Sequence, residues 1–140
     1  MASAQEIIEG IRANRQTFRD AIAASADRWE NVAEGEEWSP RQVAEHAIGA
    51  ERSFAGMMAA AVGQEAPAKV ELSLAGAAEA DTAMDASREA CIACIEPVTD
   101  ENLSAEAPMP DGAPFPKSVE GVLQLVDYHL QDHAGQISKS

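Results

Sequence analysis

From Val119 to Ile137 the residues Val119, Val122, Leu123, Val126, His129, Leu130, His133 and Ile137 step three and four positions apart without a break. Each residue of an α-helix advances about 100°, so these positions fall on one side of a helix and predict a wide buried face. A helix with such a face gains its stability by laying it against partners of the same kind. The rest of the chain must therefore supply further amphipathic helices.

It does so three times. Ser39-Pro40 is the clearest start signal, with Ser as N-cap, Pro at the first helical position and Gln42 completing a capping box. The helix that follows presents Val43, His46, Ala47, Ala50, Phe54, Met57 and Met58 as one stripe ending near Gly63, which predicts that His46 faces inward. Ser3 to Glu6 reads as another capping box, opening a helix with Ile7, Ile8, Ile11, Phe18 and Ile22 on its apolar face. A third helix is expected from about Ser73 to Glu96, burying Ala77, Ala80, Met84, Cys91, Cys94 and Ile95 and closed by Pro97. The stretch Thr99 to Pro116 carries Pro108, Pro110, Pro114, Pro116 and Gly112 and reads as a long crossover rather than an element. Ser118 then caps the final helix. Only Val70 to Leu74 could form a brief extended piece. The expectation is an all-α four-helix bundle with long crossover connections, one domain over residues 1–140, in keeping with an Ala-rich chain of 4% aromatics.

The formal charge of −14, from 24 acidic and 10 basic residues, repels phosphate backbones and anionic headgroups, so neither nucleic acid nor a membrane is an expected partner. No basic and apolar leader opens the chain and no apolar run is long enough to span a bilayer, so a soluble, cytoplasmic protein is expected. The two cysteines spell Cys91-Ile92-Ala93-Cys94 near the C-terminal end of a predicted helix. A redox pair works at a helix N-terminus, where the dipole lowers the thiol pKa; here two small core residues are the better reading.

The chain has three histidines, and all lie on predicted apolar stripes. His129 and His133, four residues apart, rise one turn up the same helix face and can reach one ion, with His46 from a facing helix as the third ligand. One histidine on an apolar face is usually a hydrogen-bonded core residue; three in this pattern fit a divalent metal site with open coordination positions, the mark of a catalytic rather than a closed structural site. Asp132 is the candidate catalytic side chain, placed to orient an imidazole or act as base at the rim, though it also reads as one of 24 acidic residues on a solvated face. Glu45 is expected in solvent, and Glu51 lies too far round its helix to reach His46. Gln136 and Gly135 read as structural, the glycine allowing close helix approach. Trp38 reads as a hydrophobic staple.

The segments Trp38-Ser39-Pro40-Arg41-Gln42-Val43-Ala44-Glu45-His46 and His129-Leu130-Gln131-Asp132-His133-Ala134-Gly135-Gln136-Ile137 resemble the second-helix and fourth-helix motifs of the DinB/YfiT-like superfamily of metal-dependent enzymes. That resemblance implies a bundle of up-down-down-up connectivity, often a homodimer, with nickel, zinc or a similar divalent ion such as iron or manganese at one end. It also implies small-molecule substrates, with low-molecular-weight thiols as cosubstrates in some relatives. Many relatives carry Arg or Lys after the last histidine, where this chain has Ala134. The expected function is that of a metal-dependent transferase or hydrolase whose three-histidine site activates water or a thiol. The reading from another class is a non-enzymatic dimeric bundle that binds a ligand or serves in stress, with a vestigial or structural site.

Overall fold

Three of the four long helices start where a serine hydroxyl meets an otherwise unpaired backbone amide. The computed structural model describes residues 3–139 and contains α1 (Ala4–Ala24), α2 (Pro40–Ala59), α3 (Ala77–Ile95) and α4 (Val119–Lys139). Ser39 and Gln42 form the full reciprocal box at the start of α2. At α1 only half of the box exists: the Ser3 hydroxyl accepts from the Glu6 amide at 3.2 Å, while the Ala4 amide donates to Asp100 Oδ1 at 2.7 Å. Ser118 accepts from the Gly121 amide at 3.2 Å at the head of α4. Replacing Ser39 with Ala should lower stability by about 1 kcal/mol in urea unfolding, through loss of this cap; an unchanged midpoint would mean that the box contributes nothing.

The start of α3 differs from expectation. It is expected at about Ser73; the helix begins at Ala77 behind Gly76, which offers no side chain for capping. The cause is long-range bonding. The Ser73 hydroxyl accepts from Arg41 at 3.0 Å, the Leu74 amide donates to Glu45 Oε2 at 2.8 Å, and the Leu74 carbonyl accepts the Trp29 indole N–H at 2.8 Å. These bonds hold residues 73 and 74 extended against α2, so Glu45 is an anchor for this connection and not a solvated carboxylate. The crossover between α3 and α4 also contains an element, a 3₁₀ turn at Asp100–Ser104 whose Leu103 is buried. Among the described residues there are no strands, only one isolated bridge between Glu106 and Ser118.

Contacts between helices fix the connectivity. Arg12 of α1 pairs with Glu96 just past α3, and Arg19 with Asp81 and Asp85, so α1 and α3 run in opposite directions. Glu45 meets Leu74 near the starts of α2 and α3, while the Cys94 thiol meets the Glu65 carbonyl near their ends, so these two run together. The first amide of α1 bonds Asp100 and the first amide of α4 bonds the Ala105 carbonyl, which puts both helix starts on the same crossover turn. The bundle is up-down-down-up. Phe18, Ile22, Ile48, Met58, Met84, Leu123 and Ile137 are its largest wholly buried aliphatic and aromatic side chains. Cys91 and Cys94 are free and buried between α2 and α3 against Ala55 and Ala59. No helix of the described residues is long and apolar enough to cross a membrane.

Candidate metal centre

The antiparallel packing of α2 against α4 brings the three imidazoles together. His129 Nε2 lies 3.3 Å from His46 Nε2 and 3.0 Å from His133 Nε2, and a ligating nitrogen from each ring lies within 4.8 Å of the others. Nitrogens about 2.0 Å from one ion stand about 3.3 Å apart at tetrahedral angles and about 2.9 Å apart at octahedral ones. The two shorter separations match those spacings.

Proton accounting points the same way. The His133 Nδ1 lies 2.8 Å from Gln136 Oε1, an acceptor, so this nitrogen carries the proton and donates it, leaving Nε2 as a bare lone pair. His129 Nε2 faces the Nε2 of two neighbours and can donate to only one of them. A cation at the centre would satisfy all three lone pairs at once. Burial, then the neighbouring His133 and His46, push His129 down to about 4, and burial followed by His133 lowers His46. Both are therefore neutral at physiological pH, the form in which imidazole ligates. The residues fit a divalent ion.

The three histidines differ in exposure. His133 is buried and His129 half-buried, but His46 is exposed, which corrects the expectation that it faces inward. On α2 it sits roughly 60° outside Val43, the nearest wholly buried position on that side, and so occupies the rim of the buried arc. Trp38 and Phe54 wall the cluster. The Trp38 ring packs edge-on against His46 at 5.1 Å between centroids, and Phe54 does the same to His129 at 5.0 Å. Trp38 thus also touches a candidate ligand, beyond its packing on the core. The exposed edge of His46 leaves the cluster open to solvent on one side.

Asp132 is exposed and forms no hydrogen bond or ion pair with the three imidazoles. Glu51 likewise stays clear of the cluster, pairing with Arg15 at 2.8 Å. Gly135 is exposed, and a methyl group built on it meets nothing within 4 Å, so it does not serve a close helix approach as expected. Gln136 is the residue whose part the sequence understated: it is the partner that fixes the His133 tautomer. Its offset of three from His133 was the available signal. Gln136→Leu should weaken divalent-ion binding about tenfold in calorimetric titration while leaving the helical signal intact; an unchanged affinity would show that His133 needs no such orientation.

A four-helix bundle with convergent imidazoles from its second and fourth helices defines the class of protein. The chain belongs to the DinB superfamily, whose sequence model matches residues 10–137 and so covers both histidine motifs. No curated protein and no solved structure matches the chain. Membership of this superfamily and the three-histidine cluster are compatible with a metal-dependent enzyme.

Proposed function

We propose that the protein is a metal-dependent enzyme of transferase or hydrolase type acting on a small molecule, with His46, His129 and His133 holding nickel or zinc. The convergence of three imidazole nitrogens at 3.0 and 3.3 Å, without a carboxylate among them, carries this reading. A bound divalent ion supplies a Lewis acid that lowers the pKa of a water or low-molecular-weight thiol and polarises a carbonyl. The protein's own part is to hold the imidazoles neutral and aimed. Gln136 fixes one ring through its Nδ1–H, and Trp38 and Phe54 hold the other two by their edges. Asp132, next to His133 in sequence and on the exposed surface of α4, is the group assigned to carry a proton to or from bulk water.

The test uses protein purified without a histidine tag. Elemental analysis should find about one nickel or zinc ion per chain, added ion should raise the melting temperature of stripped protein, and a screen of thiols against electrophiles and esters should reveal turnover. Asp132→Asn should lower that turnover and leave ion content unchanged. No bound ion together with no thermal shift would overturn the metal reading, and full ion content without turnover would return the protein to the non-enzymatic bundle.

A further inference from the structure

The seam between α1 and α3 is bridged by arginines. At one end Arg12 of α1 and Arg88 of α3 share Glu96. At the other, Arg19 pairs with Asp81 at 2.6 Å and with Asp85 at 2.8 Å. Between them Arg15 donates to Glu51 Oε2 of α2 at 2.8 Å and to the Met84 carbonyl of α3 at 2.5 Å. Side chains anchored at both ends of a seam act as struts, because the two helices cannot close on each other without breaking them. The four arginines are matched by the four carboxylates of Glu51, Asp81, Asp85 and Glu96, so the seam has no net charge with which to recruit an ion.

Behind the struts lies a cavity of about 230 Å³. Ile8 and Ile11 of α1 and Val126 of α4 form its floor, and Cys91, Ile92 and Ile95 of α3 face them. The floor is buried, whereas Ile92 and Ile95 are only partly so, and the cavity reaches the surface past them. The uncharged polar groups of the lining are engaged. Gln16 turns to Asp20 at 2.9 Å, and the Ser87 hydroxyl is wholly buried and hydrogen-bonded to the Cys91 thiol. Burial pushes that thiol up to about 11, so it stays protonated and acts as a small apolar group. Protein interiors seldom leave a void larger than a water molecule, since an unfilled one forfeits the contacts its lining would make. Here the struts hold the walls apart and prevent their collapse.

We propose that this cavity is a binding site for a small, uncharged apolar molecule of the size of a substituted benzene ring. An engineered apolar cavity of about 150 Å³ takes up benzene, so one of this volume has room for a ring and a short substituent. Charge of either sign on the guest is selected against. An anion would compete with Glu51, Asp81, Asp85 and Glu96 for guanidinium groups already paired, and a cation would meet an arginine at each strut. Both would exchange water for isoleucine and valine. The site is separate from the histidine cluster and does not rest on the metal reading.

The experiment is a methyl-resolved NMR titration of the full chain, following Ile8 and Ile11, with toluene, benzoate and benzylammonium as guests of similar shape and different charge. Toluene should give saturable shifts at these methyls and raise the melting temperature, and both ions should bind at least tenfold more weakly. Ile95→Phe, at a partly buried position on the cavity wall, should weaken toluene about tenfold by occupying its space. Glu96→Gln frees Arg12 and Arg88 together and should strengthen benzoate severalfold while benzylammonium stays weak. His129→Ala should leave the toluene affinity unchanged. Should a variant fail to fold, the three-guest comparison on the unaltered chain decides. The proposal is overturned by absence of saturable shifts, by either ion binding as tightly as toluene, by an Ile95→Phe chain that binds toluene undiminished, by a Glu96→Gln chain that still rejects benzoate, or by loss of toluene binding in His129→Ala, which would put toluene at the histidine cluster.

Discussion

His129→Ala should abolish stoichiometric nickel or zinc binding, with affinity falling on the order of 100-fold or more. The size of the effect follows from position. His129 is the middle imidazole, 3.3 Å from His46 and 3.0 Å from His133, and removing it leaves two nitrogens that no longer bracket a common centre. The fold should survive, because the side chain is half-buried and its ring neighbours are Phe54 and the other two imidazoles. The check is calorimetric titration beside the melting temperature: wild-type protein should gain about 2.7 kcal/mol at an ion concentration 100 times its Kd, and the variant nothing. A variant that binds one ion with wild-type affinity would dissolve the proposed centre. His46→Ala should be milder, since that ligand sits at the solvent edge.

Gly121→Ala should cost about 3 kcal/mol and lower the melting temperature by about 10 °C. Gly121 is buried in the first turn of α4, and a methyl group there would overlap the Pro116 carbonyl oxygen and stand 2.8 Å from its carbon. The obstacle is backbone, and it is pinned. The Pro116 carbonyl accepts from the Ser118 amide at 2.9 Å, the Lys117 carbonyl from the Ala107 amide at 3.2 Å, and the Ala105 carbonyl from the Val119 amide at 2.9 Å. The crossover cannot yield without breaking some of these bonds. Gly135→Ala is the matched control, since it lies in the same helix with open space around it and should be stabilising by roughly 0.5–1 kcal/mol. Equal effects at the two glycines would refute the steric account.

Much of this is legible in the sequence. The stripe from Val119 to Ile137, the Ser39-Pro40 start and the run of prolines before Ser118 locate three helix boundaries, because each is decided by local chemistry: periodic burial, a cap, or a missing amide. The His129 and His133 pair was legible for the same reason, since four residues make one turn. The rest depends on partners distant in sequence. The third helix is expected from about Ser73, yet Arg41, Glu45 and Trp29 claim residues 73 and 74 and the helix starts at Ala77. His46 shares a stripe with core residues, but where that stripe ends is set by how α4 lies across α2. Gly121 carries no local signal at all; only the path of Pro116 over it makes it indispensable.

The parallel course of α1 and α4 has a practical side. Each spans 21 residues, so the first turn of α1 and the last turn of α4 lie roughly a helix length apart, about 30 Å, at opposite ends of the bundle. His133 sits six residues before the end of α4. A polyhistidine affinity handle fused beyond α4 would therefore hang beside the imidazole cluster and compete for its ion, whereas one fused ahead of α1 would start from the far end. The same separation argues against joining the two ends by a short linker to make a circularly permuted chain.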